Sequence, residues 1–218
     1  QYKEYDKKMI LPQKFDIMLF YDSSTTETIT INMNQATQEV SEAIGKKAPA
    51  LILFNTSGEG YGVFPIDKAL LNKGLRETTV EARASAVINL YELMLRSKET
   101  EPEPFSKAYK PSPKELLRVL CSLISWEPDR QLLERELKYI STIYWHLLKP
   151  GTREKINPLL EKNLLSAIQQ QTSENKTSIF RTYIGIAEST EAIGALHSYW
   201  SERKAPSEIS LDVADWTA

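Results

Sequence analysis

The first third of the chain alternates between apolar and polar residues. The apolar positions that share one side of each run are Phe15, Ile17, Leu19, Tyr21, Ile29, Ile31 and Met33. A period of two is typical of half-buried β-strands. The short apolar run at 51–54 predicts a third strand, and the run at 61–66 predicts another strand after a glycine cluster. The segment around 39–43 is ambiguous, and we interpret it as a further strand.

From about residue 75 the apolar spacing becomes that of an α-helix. The residues with this spacing are Val80, Ala84, Val87, Ile88, Tyr91 and Leu95. A second helix is expected to begin after Ser112, because Ser is a good N-cap, Pro113 suits the first helical position and Glu115 completes a capping box. The remaining helices are predicted over 129–148, 153–171, 174–187 and 190–202, with a further start near 212.

These elements predict an α+β chain with two domains. Residues 1–70 form a small β domain, and residues 71–218 form an all-α domain. Successive helices joined by short turns stack as hairpins, in the manner of an armadillo or HEAT-like superhelix. The chain shows no strict sequence repeat, and we expect the helical domain to be truncated at its C-terminus.

Charge and composition limit the classes of function. The 218-residue chain has a formal net charge of -2, which gives no basic field for nucleic acid or an anionic membrane. No apolar run reaches the ~18 residues that a membrane-spanning helix needs.

The chain begins with Gln1, so we expect a piece of a longer or processed product. The one cysteine, Cys121, lies in an apolar run and is interpreted as a buried structural thiol. The sequence indicates no compartment.

The glycine cluster GEGYG at 58–62 raises the question of a phosphate-binding loop. Such a loop needs glycines between a strand and a helix. The residues that follow are apolar and β-prone and include Pro65, and the Gly-Lys-Ser/Thr element of a P-loop is missing. A hairpin turn uses glycine for positive φ between two strands. We therefore predict a β-hairpin and no nucleotide site.

Few residues are candidates for catalysis or metal binding. His146 and His197 have no second ligand at the spacing of a zinc motif, so we interpret both as structural or surface histidines. Four glutamates fall among Lys and Arg on helix faces, which predicts solvated faces with i,i+4 pairing: Glu134, Glu136, Glu154 and Glu161. A three-ligand site that uses acids from distant helices stays open.

Two aromatic pairs and two glycosylation tripeptides carry weaker signals. The pairs are Tyr144–Trp145 and Tyr199–Trp200. Core packing is the first interpretation of these pairs, and a groove for an apolar or peptide ligand is the second. The tripeptides begin at Asn55 and Asn175, and such tripeptides are common by chance.

The order of the parts resembles one protein family. LPQKFDIMLFYD, ITINMN, LILFNTSGEGYGVFPID and RETTVEARASAVINLYELML follow one another as in the downstream half of aminopeptidase-N-like zinc metallopeptidases. The closing hairpin of that family's β-sandwich reads Leu-x-Asn-x-x-x-x-Gly-Tyr, and the matching residues here are Leu53, Asn55, Gly60 and Tyr61. An early helix of the family carries Arg-Ala-x-x-x-x-x-Leu, matched by Arg83, Ala84 and Leu90.

The resemblance implies a small antiparallel β-sandwich followed by a helical domain that walls a substrate chamber. The parent would be a zinc aminopeptidase that removes N-terminal residues from peptides, with zinc in its catalytic domain. That domain's Gly-x-Met-Glu-Asn and H-E-x-x-H motifs are missing from this sequence. We therefore assign no catalytic, cofactor-binding or metal-binding residue, and we expect the fragment itself to be inactive.

The partners that the resemblance implies are the parent's own catalytic domain and a peptide substrate. Neither nucleic acid nor a membrane span is expected. The alternative function is a free-standing helical-repeat module that binds a protein or a peptide on its concave face. An H-E-x-x-H motif upstream of the chain distinguishes the two readings.

Overall fold

The computed structural model describes residues 11–22, 25–73, 75–96, 109–206, 209–212 and 214–216, with the backbone only at 72, 73 and 77. The strands are β1 (Gln13–Phe20), β2 (Thr26–Met33) and β3 (Leu51–Phe54). The helices are α1 (Leu70–Lys73), α2 (Val80–Leu95), α3 (Pro113–Leu123), α4 (Arg130–Thr142), α5 (Pro150–Gln170), α6 (Ser173–Ile186) and α7 (Thr190–Glu202). The chain is therefore α+β, and it divides into two compact units, Gln1–Pro111 and Ser112–Ala218. The predicted boundary at residue 70 falls inside the first unit.

The sheet of the first unit follows the predicted alternation. Its three antiparallel strands lie in the order β2-β1-β3. Phe15 is opposite Ile31, and Ile17 is opposite Ile29. These four side chains are buried together with Leu19 and form the hydrophobic core on one face of the sheet. The period-two pattern is confirmed because these two register pairs each bring two apolar side chains to the same face.

Two of the predicted strands are wrong. The segment at 39–43 is a turn that contains the 3₁₀ helix Ser41–Ala43, in which the Ala43 N–H donates to the Val40 carbonyl at 3.0 Å. The segment at 61–66 has no strand, because its backbone hydrogen bonds go elsewhere. The Phe64 N–H donates to the side chain of Asn89 at 2.9 Å. Pro65 has no N–H to give to a ladder.

Helix α2 begins at a Thr79 N-cap, whose hydroxyl accepts a hydrogen bond from the Ala82 N–H. The predicted apolar face of this helix is only partly correct. Val87 is buried, but Ile88 is 37% exposed and Leu95 is 49% exposed. The helix is apolar around much of its circumference, so the apolar spacing alone left more than one possible buried face. The face buried in the structure carries Ala82, Ala86, Val87, Leu90, Leu93 and Met94.

The second unit consists of five helices joined by short turns in the part of the chain that the structure describes. The capping box is confirmed: the Ser112 side chain accepts from the Glu115 N–H, and the Glu115 carboxylate accepts from the Ser112 N–H. Pro150 and Gly151 open α5 rather than precede it, because Pro fits the first helical position. The end of the third predicted helix is also different. Helix α4 ends at Thr142, and Ile143–Leu147 forms a π-helical turn.

Candidate functional site

The glycine segment of the first unit is closed by a side-chain amide. Asn55 lies in the left-handed region with φ of 57° and is 5% exposed. Its Oδ1 accepts a hydrogen bond from the Gly60 N–H at 2.7 Å, and its Nδ2 donates to the Gly60 carbonyl at 3.1 Å. Asn tolerates this conformation better than other non-glycine residues. The same amide therefore clamps both backbone polar groups of Gly60.

A second amide clamps the next residue in the same way. The Tyr61 N–H donates to Gln13 Oε1 at 2.8 Å, and Gln13 Nε2 donates to the Tyr61 carbonyl at 2.9 Å. Gln13 is the first residue of β1, so the bond fixes the glycine segment to the sheet. The side chain of Tyr61 is nevertheless 88% exposed. A rigid backbone thus presents an aromatic ring to the outside.

The geometry of this segment is a clamped loop rather than a β-hairpin. Gly58 and Gly62 have positive φ, as a tight turn requires. No strand follows them within the described residues 58–69, so the second half of the predicted hairpin is wrong. The next helix, α1, begins at Leu70 and has four residues. The glycines therefore do not lead directly into a helix N-terminus, which a dinucleotide loop needs.

A cleft of about 630 Å³ lies between this loop and α2, within the first unit. Val63, Ala84 and Ile88 give its lining an apolar part, and Tyr61 and the loop glycines lie beside them. The lining also carries the charged residues Glu81, Glu92 and Arg96. Sequence reasoning missed this cleft because the helix was interpreted by its apolar residues alone. The 3- and 4-residue spacing of 81, 84, 88, 92 and 96 was the available signal.

The two histidines lie apart in the chain and on different elements. His146 is in the π-helical turn and His197 is in α7, and both are exposed. The His197 ring lies 6.3 Å from the ring of Trp200. Over the described residues, no group of three His, Cys, Asp or Glu side chains could hold a metal ion.

The prediction of four solvated glutamates is correct for two of them. Glu134 is exposed and pairs with Arg130 at 3.0 Å in the i,i+4 arrangement, and Glu154 is exposed. Glu136 and Glu161 are buried, at 1% and 5% exposed. The prediction failed for these two because each shares its helix with charged neighbours while lying on the face that packs inward.

Glu161 joins α5 to the turn between α6 and α7. Its carboxylate accepts hydrogen bonds from the backbone N–H groups of Glu188 and Ser189 at 2.9 and 3.0 Å. It also accepts from the Ser189 hydroxyl at 2.5 Å and from Asn157 Nδ2 at 2.7 Å. Burial raises the pKa of Glu161, but the bonds from Ser189, Glu188 and Asn157 outweigh it and hold the pKa below its ordinary value. The group is therefore a carboxylate that anchors the start of α7.

The first aromatic pair contains one core residue and one surface residue. Tyr144 is fully buried, its hydroxyl donates to the Glu188 carboxylate, and burial raises its pKa. Trp145 is 40% exposed, although its indole N–H donates to the Gly185 carbonyl at 3.1 Å. The guanidinium of Arg153 lies 5.1 Å from the centre of the Trp145 ring. Core packing is confirmed for Tyr144, whereas part of the Trp145 ring is exposed to solvent.

The second aromatic pair is more open. Tyr199 makes an edge contact with Phe180 at 6.0 Å between ring centres. Trp200 is 56% exposed, and its indole N–H donates to the Trp216 carbonyl at 3.2 Å. The interpretation of this pair as a ligand groove stays a prediction.

The remaining sequence signals are structural. Cys121 is buried, and burial raises the pKa of its thiol to about 12, so the prediction of a structural thiol is confirmed. Asn55 and Asn175 are 5% and 3% exposed. The amide of Asn175 donates to the Gln171 side chain at 3.1 Å. Neither asparagine offers a free amide for glycosylation in the folded chain.

Comparison with known proteins adds no family to these observations. No protein-family model matches the chain, and no curated protein matches it. Over the described residues, none of the helices combines the length and the apolar character that crossing a membrane requires.

Proposed function

We propose that the chain is the non-catalytic downstream part of an aminopeptidase-N-like zinc metallopeptidase, whose parent removes N-terminal residues from peptides. The observation that carries the proposal is that the four residues matching the family's hairpin motif lie in one locally folded segment. Leu53 is 1% exposed in the sheet, and Asn55 clamps Gly60. Tyr61 is held through its backbone by Gln13. Leu53, Asn55 and Gly60 each meet a structural demand of this segment, and Tyr61 is fixed through its backbone, which supports a shared local fold.

The β-sandwich and the superhelix belong to the same proposal. The three-stranded antiparallel sheet would be one layer of the sandwich. In the second unit, α3 packs against α4 and α5, and α4 and α5 both pack against α6. Contacts of a helix with the next helix and with the second-next helix are what a two-layer stack of hairpins requires. This pattern supports an armadillo/HEAT-like arrangement.

The role of the chain would be to shape the substrate chamber. In the parent, zinc would activate water and polarise the scissile carbonyl. The described residues of this chain bring together no three side chains that could hold the ion. The zinc would therefore be held by the parent's catalytic domain, and the helical part of this chain would wall the chamber and contact peptide.

The coding sequence upstream of Gln1 tests this proposal. We expect it to encode H-E-x-x-H followed by a distal Glu, together with Gly-x-Met-Glu-Asn. The zinc-binding and amine-binding groups would then lie in the same polypeptide as this chain. A reading frame that starts at or near Gln1, with neither motif, would refute the proposal.

The purified chain is expected to show no aminopeptidase turnover, with or without zinc. The reason is that its two histidines lie on separate elements and share no third ligand among the described residues. The measurement is hydrolysis of chromogenic amino-acid amides with excess Zn²⁺, compared with the same reaction under a chelator. Zinc-dependent turnover that His146→Ala or His197→Ala abolishes would contradict the expectation.

The second candidate function is the free-standing module that binds a peptide or protein. It is favoured by the exposure of Trp145 and Trp200 in the second unit, at 40% and 56%. Exposed tryptophans are frequent binding hot spots. In this case the Trp145→Ala and Trp200→Ala variants should lose binding of a natural partner without any catalytic half being required.

A further inference from the structure

The backbone of Tyr61 is fixed by two hydrogen bonds, although its ring is exposed. Its backbone N–H and carbonyl are both bonded to Gln13, and the same groups of the preceding Gly60 are both bonded to Asn55. The ring itself is 88% exposed. An exposed ring contributes little to folding, because it removes little apolar area from water. A fixed backbone beneath an exposed aromatic side chain instead lowers the entropy lost when a partner binds.

The cleft next to Tyr61 has the size of a binding site. Its volume of about 630 Å³ lies within the range of about 300–1,000 Å³ that is usual for ligand pockets. Ala84, Ile88 and Val63 provide apolar contact area, and Ile88 is 37% exposed. This surface, which we call the Tyr61 cleft, comprises Tyr61, Val63, Glu81, Ala84, Ile88, Glu92 and Arg96.

The charge of the Tyr61 cleft favours a cation. Glu81 and Glu92 line it, and among the described residues neither makes an ion pair. Arg96 also lines the cleft, one helical turn beyond Glu92, and offsets part of the negative charge at that end. Glu81 is therefore the stronger position for a cation. Carboxylates beside an exposed aromatic ring suit Lys and Arg, which bind both groups.

The spacing of the two carboxylates favours an extended chain. Glu81 and Glu92 are eleven residues apart on α2, which corresponds to roughly 16 Å at the helical rise of about 1.5 Å per residue. An extended peptide covers that length in about five residues, at about 3.3 Å per residue. The apolar side chains Ala84 and Ile88 lie between the two carboxylates along the helix.

We propose that the Tyr61 cleft binds an extended cationic peptide segment, with a Lys or Arg side chain at Glu81, a central apolar side chain over Ala84 and Ile88, a second, weaker cation position at Glu92, and contact with the exposed ring of Tyr61. The occupant is a free peptide supplied in trans. The proposal does not depend on the aminopeptidase proposal, because binding is a property of the first unit alone and is measured without any catalytic activity.

The experiment is a fluorescence anisotropy titration of the purified full chain with labelled hexapeptides. The probe has the sequence Arg-Ala-Leu-Ala-Arg-Ala, in which both Arg and the Leu share one face of an extended chain, and the comparison peptide has Glu in place of both Arg. We expect saturable binding of the first peptide, weakened by added salt, and none of the second. Glu81→Gln should raise Kd about fivefold, Glu92→Gln about threefold, and Tyr61→Ala about fivefold, while Tyr61→Phe should restore most of the affinity.

The matched control is Glu39→Gln, which removes one exposed carboxylate of the same unit away from the cleft. It should change Kd by less than twofold, and thermal unfolding should show that each variant remains folded. Absence of binding to the wild-type chain, equal binding of the Glu peptide, or an equal loss in Glu39→Gln would each overturn the proposal. Self-association of the chain that Tyr61→Ala reduces, without peptide binding, would identify a second copy as the occupant and would overturn it as well.

Discussion

At the scale of single residues, Gly60 is the glycine of the clamped loop at which an added side chain would have the least room. Its φ is not positive, in contrast to the φ of Gly58 and of Gly62, so the turn geometry does not require glycine at this position. A Cβ atom at this position would lie 2.8 Å from Asn55 Oδ1, 2.9 Å from Phe64 Cζ and 3.0 Å from Phe15 Cβ. The close approach of the backbone to two aromatic side chains and the clamp is what requires glycine here.

Gly60→Ala is therefore expected to lower the free energy of unfolding by about 1–3 kcal/mol, the usual cost of forcing extra volume into a packed site. The measurement is urea denaturation, with the midpoint compared at an unchanged m-value. Gly194→Ala is the control, because a Cβ at Gly194 in α7 meets nothing within 4 Å. It should raise stability by roughly 0.5–1 kcal/mol through helix propensity. Equal stabilities for Gly60→Ala and the wild-type chain would refute the packing argument.

At the scale of elements, local signals predicted more than long-range ones. The strand alternation of β1 and β2 and the Ser112 capping box depend on neighbours in sequence, and both are confirmed. The missing strand at 61–66 depends on Asn89, which lies far along the chain and takes the Phe64 N–H. The burial of Glu161 depends on backbone groups of the α6–α7 turn. Such partners are set by tertiary contacts that a pattern of apolar spacing does not contain.

The Glu161 anchor makes the stability of the second unit depend on pH. Because the folded-state pKa lies below the unfolded value, this stabilisation is present above about pH 4.3 and is lost as the pH falls through the folded-state pKa. Glu161→Gln should lower the free energy of unfolding at pH 7 by roughly 1–3 kcal/mol. The variant should also lose less stability than the wild-type chain between about pH 5 and pH 3, measured by urea denaturation at each pH.

The control for the anchor is Glu154→Gln, on the same helix but exposed. This substitution should change stability by about 0.5 kcal/mol or less at every pH, as is usual for surface sites. If Glu161→Gln and Glu154→Gln have the same pH profile, the carboxylate of Glu161 is not the anchor of α7.

At the scale of the whole molecule, the sequence predicted the class of the fold and the succession of sheet and helices. It did not reveal the Tyr61 cleft, because the cleft forms where the clamped loop lies against α2, and the bonds from Gln13 and Asn89 that hold the loop there join residues far apart in sequence. The bond from Gln13 to Tyr61 spans 48 positions, and the one from Asn89 to Phe64 spans 25. The motif match singled out Asn55, Gly60 and Tyr61 in the sequence. The hydrogen bonds of the folded chain show that Asn55 holds the backbone of Gly60 and that Gln13 holds the backbone of Tyr61.

The junction between the sheet and α2 is expected to behave as a rigid connection. Leu70 and Leu75 are 0% and 2% exposed, and the Leu70 and Thr78 N–H groups donate to the carbonyls of Asp67 and Leu75 at 3.1 Å each. A segment with buried side chains and bonded backbone opens rarely, and proteases need an open backbone. Limited trypsin digestion should therefore cleave slowly at Lys68 and Arg76.

The comparison site for this digestion is Lys47, an exposed residue in the loop before β3, where cleavage should be faster. Leu75→Ala removes a buried side chain, at a cost of about 2–5 kcal/mol, and should accelerate cleavage at Arg76 at least tenfold under native conditions. Mass spectrometry of the early fragments identifies the sites. Rapid cleavage of the wild-type chain between 67 and 78, with release of two folded pieces, would show a flexible tether. Such a tether would contradict the rigid junction between the sheet and α2.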